Sequence, residues 1–245
     1  MQSNPLKLKV AYLYPDILQG FCDESNIETF CSRARSREID VSVHEVMAHT
    51  KIQSSKYDFY YIGGSNIQAL EYALSVLKEN KDELHTAANA GVPMLAVNCG
   101  YQLFGKSYQM HNKAKIEALG ILDVYSIISK KISYGSVYGT CAFMKNKIVV
   151  GFENHKMSTY LNEKVVPFLT LKKGKGNNLQ DKTEGARYKQ VIGTYLSSPL
   201  LAQNPHLCDF FIACALRIKY RCKIPLMPLC DDIEWYSHNF LIDGK

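Results

Sequence analysis

The chain has 245 residues, 47% of them apolar and 21% charged, which fits one large globular domain or one domain with a small lobe, with ample material for a core. Its formal charge of +6 is mild and reads as a basic surface. No basic cluster is interleaved with aromatics, which argues against nucleic-acid binding, and no apolar run approaches the length of a membrane span.

In chain order, Leu8–Leu13 predicts a first strand that ends at Tyr14-Pro15-Asp16. Asn26 is placed to cap a helix whose apolar side carries Ile27, Phe30, Cys31 and Ala34. Ile39, Val41 and Val43 alternate as a second strand, and Tyr57–Ile62 makes a third, broken by Gly63-Gly64. Asn66 or Ser65 then caps a helix with Ile67, Leu70, Leu74 and Leu77 on one face, and a further helix around Asp82–Asn89 stops at Gly91. The apolar run Met94–Val97 follows and ends abruptly at Asn98-Cys99-Gly100, where a helix-compatible segment begins. This is the outline of a strand–turn–helix elbow, which exposes one side chain at the tip of a buried strand. The residue at that tip decides the chemistry available to the site.

Strands alternating with helices at this spacing predict an α/β fold, a largely parallel sheet with helices on both faces. Ligands on such sheets sit beyond the carboxyl ends of the strands, and both Gly63-Gly64 and Asn98 lie at such ends. Residues 121–150 are less regular, with Gly135, Gly139 and Lys145-Asn146 as turns, and predict short strands and a hairpin. Lys172–Arg187 reads as a long polar loop. Asn204-Pro205 is a helix start, with Leu207, Phe210, Phe211, Cys214 and Ile218 as the buried stripe. No linker divides the chain, so one domain over 1–245 is expected, with a core of about 6–220 and a C-terminal tail, 221–245, whose structure the pattern does not place.

The eight cysteines (Cys22, Cys31, Cys99, Cys141, Cys208, Cys214, Cys222 and Cys230) are scattered without C-x-x-C pairs. The N-terminal MQSNPLKLKVAYLYP lacks the apolar core of a secretion signal. A cytoplasmic protein with reduced thiols, no metal and no cofactor is the expectation.

VPMLAVNCGYQLFG (Val92–Gly105), Leu119-Gly120-Ile121-Leu122-Asp123, GFENH (Gly151–His155), the block from Gly176 to Tyr188, and Gly193–Pro205 fall in an order and spacing that resemble one family. It is the glutamine amidotransferase subunit (GatD-like) of lipid II isoglutaminyl synthase, a class I, cobyric-acid-synthase-like amidotransferase. The resemblance implies a flavodoxin-like class I amidotransferase fold. It also implies a heterodimer with a Mur-ligase-like (MurT-like) ATP-dependent ligase that amidates the D-glutamate of the peptidoglycan stem peptide. Contact with a lipid-linked precursor would then run through that partner.

In this family a cysteine at the elbow, in a C-x-G-x-Q pattern, attacks the glutamine amide; a histidine moves the protons and backbone N–H groups hold the oxyanion. Matching Gly100, Tyr101 and Gln102 to that pattern puts Asn98 at the nucleophile position, with Cys99 one residue late as the alternative nucleophile. Asn98 cannot form an acyl-enzyme, although its amide can hydrogen-bond a ligand. Ser197 occupies the position of the family's histidine, and a hydroxyl is no base near neutral pH. Counting without gaps from Gly120 to Gly135 puts the glutamine-binding arginine at Ile132, with Lys130 and Lys131 beside it. Gly63 and Gly64 match the family's oxyanion loop, while Ser65-Asn66 departs from its continuation. Glu153 and His155 read as scaffold, a displaced histidine is the remaining route to a base, and Ser197-Ser198 as a new nucleophile lacks a visible base. The expectation is a glutaminase-like subunit that has lost glutamine hydrolysis; the alternative is a working enzyme using Cys99.

Overall fold

The computed structural model describes residues 5–18, 24–64, 66–111, 113–145, 147–197 and 199–243. The expectations placed on Cys22, Ser65, Asn146 and Ser198 lie outside them. The first half runs β1 (Lys7–Leu13), α1 (Pro15–Leu18), α2 (Glu24–Arg35), β2 (Asp40–Val46), β3 (Phe59–Ile62), α3 (Leu70–Lys78), α4 (Lys81–Ala90), β4 (Met94–Val97) and α5 (Cys99–Phe104). The second half runs β5 (Ser107–Gln109), β6 (Ile116–Glu117), β7 (Val124–Cys141), β8 (Lys147–Leu161), β9 (Leu169–Lys173), β10 (Thr183–Glu184), β11 (Ala186–Tyr188), β12 (Val191–Thr194) and β13 (Leu196–Ser197), then α6 (Leu200–Gln203), α7 (Pro205–Tyr220) and α8 (Asp232–Asp243).

Six strands form the central sheet in the order β11-β12-β4-β3-β1-β2, parallel throughout except for β11 at one edge. Alternate residues of its strands point to opposite faces. Tyr60, Ile62, Met94 and Ala96 join a core with α3, α4 and α5. Phe59, Tyr61, Leu95 and Val97 join a second core with α2, α6 and α7. The strands therefore read as continuous apolar runs, as sheets covered on both faces must.

A second, mainly antiparallel sheet of seven strands flanks the first. Its spine is the long hairpin of β7 and β8, 18 and 15 residues, with a register shift between Ile128 and Ser133. The sequence predicts only short strands here. One face of β7 carries exposed aromatics and lysines, which hides the period-2 signal. The polar stretch expected as a loop, Lys172–Arg187, instead holds the end of β9, all of β10 and the start of β11. It satisfies its own backbone through side chains: Glu153 accepts from the N–H groups of Lys175 and Gly176 (2.8 Å each). The Asn177 amide bonds Gly185 N, Gly185 O and Thr183 Oγ1, all at 3.0 Å.

Asn26 does not cap α2. It lies inside the helix, fully buried, where its amide donates to the Tyr61 hydroxyl (3.2 Å) and accepts from Leu201 N (3.0 Å), tying α2 to the sheet and to α6. Asn66 caps as expected, accepting from Ala69 N (3.3 Å) at the turn that leads into α3. The tail beyond Tyr220 is docked: Arg33 bridges Asp209 and Asp231, Arg37 holds Met227 O (2.7 Å), and His238 bonds Gln203 O (2.8 Å).

Candidate functional site

The elbow is where the two sheets and α5 converge. Asn98 sits between β4 and α5 with φ 51° and ψ −110°, a conformation outside the regions a non-glycine residue prefers. Such strain persists only where the surroundings over-determine it. Here Asn98 N donates to Thr194 O (2.9 Å) at the end of β12, and Asn98 O accepts from the N–H groups of Tyr101 and Gln102. Gly100 is required by crowding: a Cβ there would lie 2.4 Å from Ile62 O.

The Asn98 side chain is partly buried, and its Oδ1 is enclosed without a hydrogen-bonding partner. Cys99 begins α5 with its side chain turned into the core, 1% exposed. A one-residue step at the end of a strand reverses the side-chain direction, and the tip position belongs to Asn98. Gln102, one helical turn on, is buried and its Oε1 also lacks a partner.

Gly63-Gly64 ends β3 beside the elbow, as expected from two neighbouring strand ends. Gly64 adopts φ 116°, and a side chain there would strike Leu18 at 2.7 Å. Its carbonyl accepts the Cys99 N–H at 3.0 Å. In a nucleophile elbow the N–H of the residue after the nucleophile is an oxyanion donor. That donor is occupied here.

Ser197 reaches the same end of the molecule through β13, which pairs with β8. Its hydroxyl donates to Phe152 O (2.9 Å). Ile132 lies in β7 within the register shift, with its side chain 53% exposed and its carbonyl accepting from Lys175 Nζ (3.1 Å). The expected positions thus divide: Asn98, Cys99, Gly63, Gly64, Gly100 and Gln102 are clustered by backbone bonds, Ser197 joins through β13, and Ile132 is on the hairpin.

His155 reaches this cluster by packing. Its ring stacks on Tyr195 (centroids 3.9 Å apart), and Tyr195 in turn meets Tyr101 edge-on at 5.0 Å. Nδ1 donates to Met157 O (2.9 Å), while Nε2 is buried without a hydrogen bond, 4.0 Å from Glu153 Oε2. Burial pushes the His155 pKa down to about 4 and the Glu153 carboxyl up. The imidazole is neutral at neutral pH.

Glu184 was not singled out from the sequence. It is completely buried and accepts from Thr194 Oγ1 (2.9 and 3.0 Å) and Tyr195 N (2.7 Å), and burial raises it to about 8. It fixes the strand end that holds Asn98. It is the glutamate of the Gly176–Tyr188 block that carries part of the family resemblance, and that motif rather than any periodicity is the signal that marks it. Among the described residues no group of three or more His, Cys, Asp or Glu could hold a metal, and no disulfide joins two cysteines. No described helix is long and apolar enough to cross a membrane.

Among the described residues the elbow presents Asn98 rather than a thiol at its tip, and the neutral His155 ring reaches it through Tyr195 and Tyr101. Residues 9–205 match a family model described as a CobB/CobQ-like glutamine amidotransferase domain. The chain is similar to the Staphylococcus aureus lipid II isoglutaminyl synthase (glutamine-hydrolyzing) subunit GatD, 32% identical over 97% of this chain and 96% of that protein. The subunit of the same name from Streptococcus pneumoniae is 28% identical over 94% and 88%. Among solved structures, PurLQS from Thermotoga maritima superposes with a TM-score of 0.57 at 15% identity, covering 89% of this chain and 100% of that one. A glutamine amidotransferase from the same organism gives 0.56 at 12%, covering 98% and 94%.

Proposed function

Because the chain belongs to the CobB/CobQ-like glutamine amidotransferase family, we propose that it is a non-catalytic subunit that has kept the family's scaffold and lost glutamine hydrolysis. The observation that carries this reading is the elbow itself: the strained tip position holds Asn98, whose amide cannot accept an acyl group. Two further features support it. The Ser197 hydroxyl at the histidine position is engaged by Phe152 O. The Cys99 N–H, which an oxyanion would need, is engaged by Gly64 O.

The chain acts as a single amidotransferase-like unit in a heterodimer with a Mur-ligase-like ATP-dependent ligase that amidates the D-glutamate of a peptidoglycan precursor. The relatives named as subunits of lipid II isoglutaminyl synthase support that pairing. With glutaminase activity lost, its role is structural or regulatory, and ammonia or another nitrogen donor supplies the ligase.

A second reading, an active glutaminase using Cys99, is favoured by the glutamine-hydrolyzing names of the relatives. Against it stand the core burial of the Cys99 side chain and the engagement of its N–H. One experiment separates the two. The purified chain, alone and with the co-expressed ligase, is assayed for ammonia release from glutamine. The expected result is none above the uncatalysed background; release that disappears in Cys99→Ala would overturn the non-catalytic reading.

A further inference from the structure

Away from the elbow, α7, β11 and the extended segment after Tyr220 enclose a cavity of about 620 Å³, within the usual size range of small-molecule sites. Arg187 on its wall pairs with Ile192, which is level with Leu95 in β4, so the cavity lies toward the amino ends of those strands. Nothing in the amidotransferase reading uses it.

The lining is apolar over most of its extent, with Phe143, Phe210, Ile224, Pro225 and Leu226, and three cations stand around it: Arg187, Arg217 and Lys223. The Arg187 guanidinium lies over the Phe143 ring, 4.0 Å from its centroid, which directs the charge into this cavity. Its Nε is buried and has no hydrogen-bond partner. Burial also lowers the Arg187 pKa, the sign of a charge without compensation. Among the described residues none of the three cations has an ion-pair partner. The one carboxylate on the wall, Asp209, is engaged by Arg33 (3.0 Å) and Arg37 (2.8 Å).

The outer wall is held in place. Arg37 Nε bonds Met227 O, and Arg33 bonds Asp231, so the strand of chain carrying Ile224–Leu226 is anchored just beyond the cavity. An apolar slot with a half-buried guanidinium on its wall and two exposed cations, Arg217 and Lys223, along its lining suits a molecule that is apolar at one end and multiply anionic at the other.

We propose that this cavity binds an aromatic phosphate monoester of nucleoside-monophosphate size. The ring lies against Phe210 and the Ile224–Leu226 wall, and the phosphate sits among Arg187, Arg217 and Lys223. Arginine suits this role because its planar fork matches two phosphate oxygens at once.

The test is a calorimetric titration of the full chain with AMP, UMP, adenosine and inorganic phosphate. AMP or UMP should bind with a Kd on the order of 10–500 µM, and adenosine and phosphate at least about tenfold more weakly. Arg187→Ala should weaken nucleotide binding about tenfold or more. So should Arg217→Glu, at an exposed helix position where the charge reversal leaves packing intact. Failure of both nucleotides to bind by ~1 mM would overturn the proposal. It would also be overturned if phosphate alone bound as tightly as the nucleotides, or if both variants bound nucleotide with unchanged affinity.

Discussion

Restoring a thiol to the elbow should not restore a glutaminase. In Asn98→Cys the new side chain inherits φ 51° and ψ −110°, strained for either residue, so the variant should keep the parent's stability to within about 1 kcal/mol. The larger deficit is chemical. A thiol with an ordinary pKa is only a few per cent ionised at neutral pH, and the Ser197 hydroxyl, held by Phe152 O, cannot take its proton. The oxyanion would also lack the Cys99 N–H, which Gly64 O retains; one missing donor costs about 3 kcal/mol. Because nucleophile and base act as a unit, the shortfall should be on the order of 10⁴–10⁶ in rate, roughly 5–8 kcal/mol. The assay is covalent labelling by a glutamine-analogue electrophile, read by intact mass, alongside ammonia release. Labelling should stay weak in Asn98→Cys, rise when Ser197→His is added, and tighten in analogue concentration when Ile132→Arg supplies a carboxylate partner. Hydrolysis by Asn98→Cys alone at an ordinary enzymatic rate, about 1–10³ per second, would refute the reasoning and point to a base already in place, with His155 first to be tested.

Three further outcomes follow from packing and charge. Gly100→Ala would set a Cβ 2.4 Å from Ile62 O and 2.9 Å from Ile62 Cγ2; since backbone must move, a loss of about 3 kcal/mol or more in denaturant unfolding is expected. Glu184 rises from 4.5 to about 8 on folding, so the folded chain holds that proton more tightly than the unfolded one. Its contribution is complete below about pH 4.5 and is lost as pH climbs to about 8, by on the order of 4–5 kcal/mol. Unfolding curves of Glu184→Gln should show that downward slope removed, whereas the opposite loss, as pH falls from 6.5 towards 4 and His155 and His206 protonate in the unfolded chain while staying neutral in the folded one, should persist. Arg33→Met leaves Asp209 and Asp231 facing each other without their shared cation; a loss of about 3 kcal/mol and faster proteolysis within 221–243 would be read by melting and limited digestion.

The class I amidotransferase fold implied by the motifs is the fold observed, and the reason is legible in β3 and β4. Both strands are apolar at every position because both faces are covered, and both stop at residues that only a tight turn explains. Asparagines were harder to read. Asn26, Asn177 and Asn204 each occupy positions where local turn chemistry is plausible, yet Asn26 bonds the Tyr61 hydroxyl and Leu201 N, and Asn204 bonds the backbone of Val150, all far away in sequence. Asn204 precedes α7 as expected but bonds Val150 N and O rather than capping the helix. Helix α8 gave no usable stripe, since Ile233, Tyr236 and Phe240 face outward. What docks it is His206 against Trp235 together with the bond of His238 to Gln203, contacts with no periodic signature. At the elbow, Gly100 and Gln102 are the residues in the sequence that align Asn98 with the nucleophile position. The bond between Cys99 N–H and Gly64 O was not, because it depends on the orientation of one carbonyl.

The order of strands in the central sheet has a consequence for how the chain reaches its shape. β4 lies between β3, which precedes it closely, and β12, which is synthesised only after six of the seven strands of the second sheet, β5 to β10. Until β12 arrives, Met94–Val97 is a fully apolar margin with unpaired backbone groups, the kind of margin that recruits strands from other molecules. The same late arrival delivers Thr194 O to Asn98 N. Formation of the elbow is therefore tied to the strand pairing with the greatest sequence separation among the described residues, which places it among the slow steps. Nascent chains stalled before residue 191 are the species most exposed to aggregation.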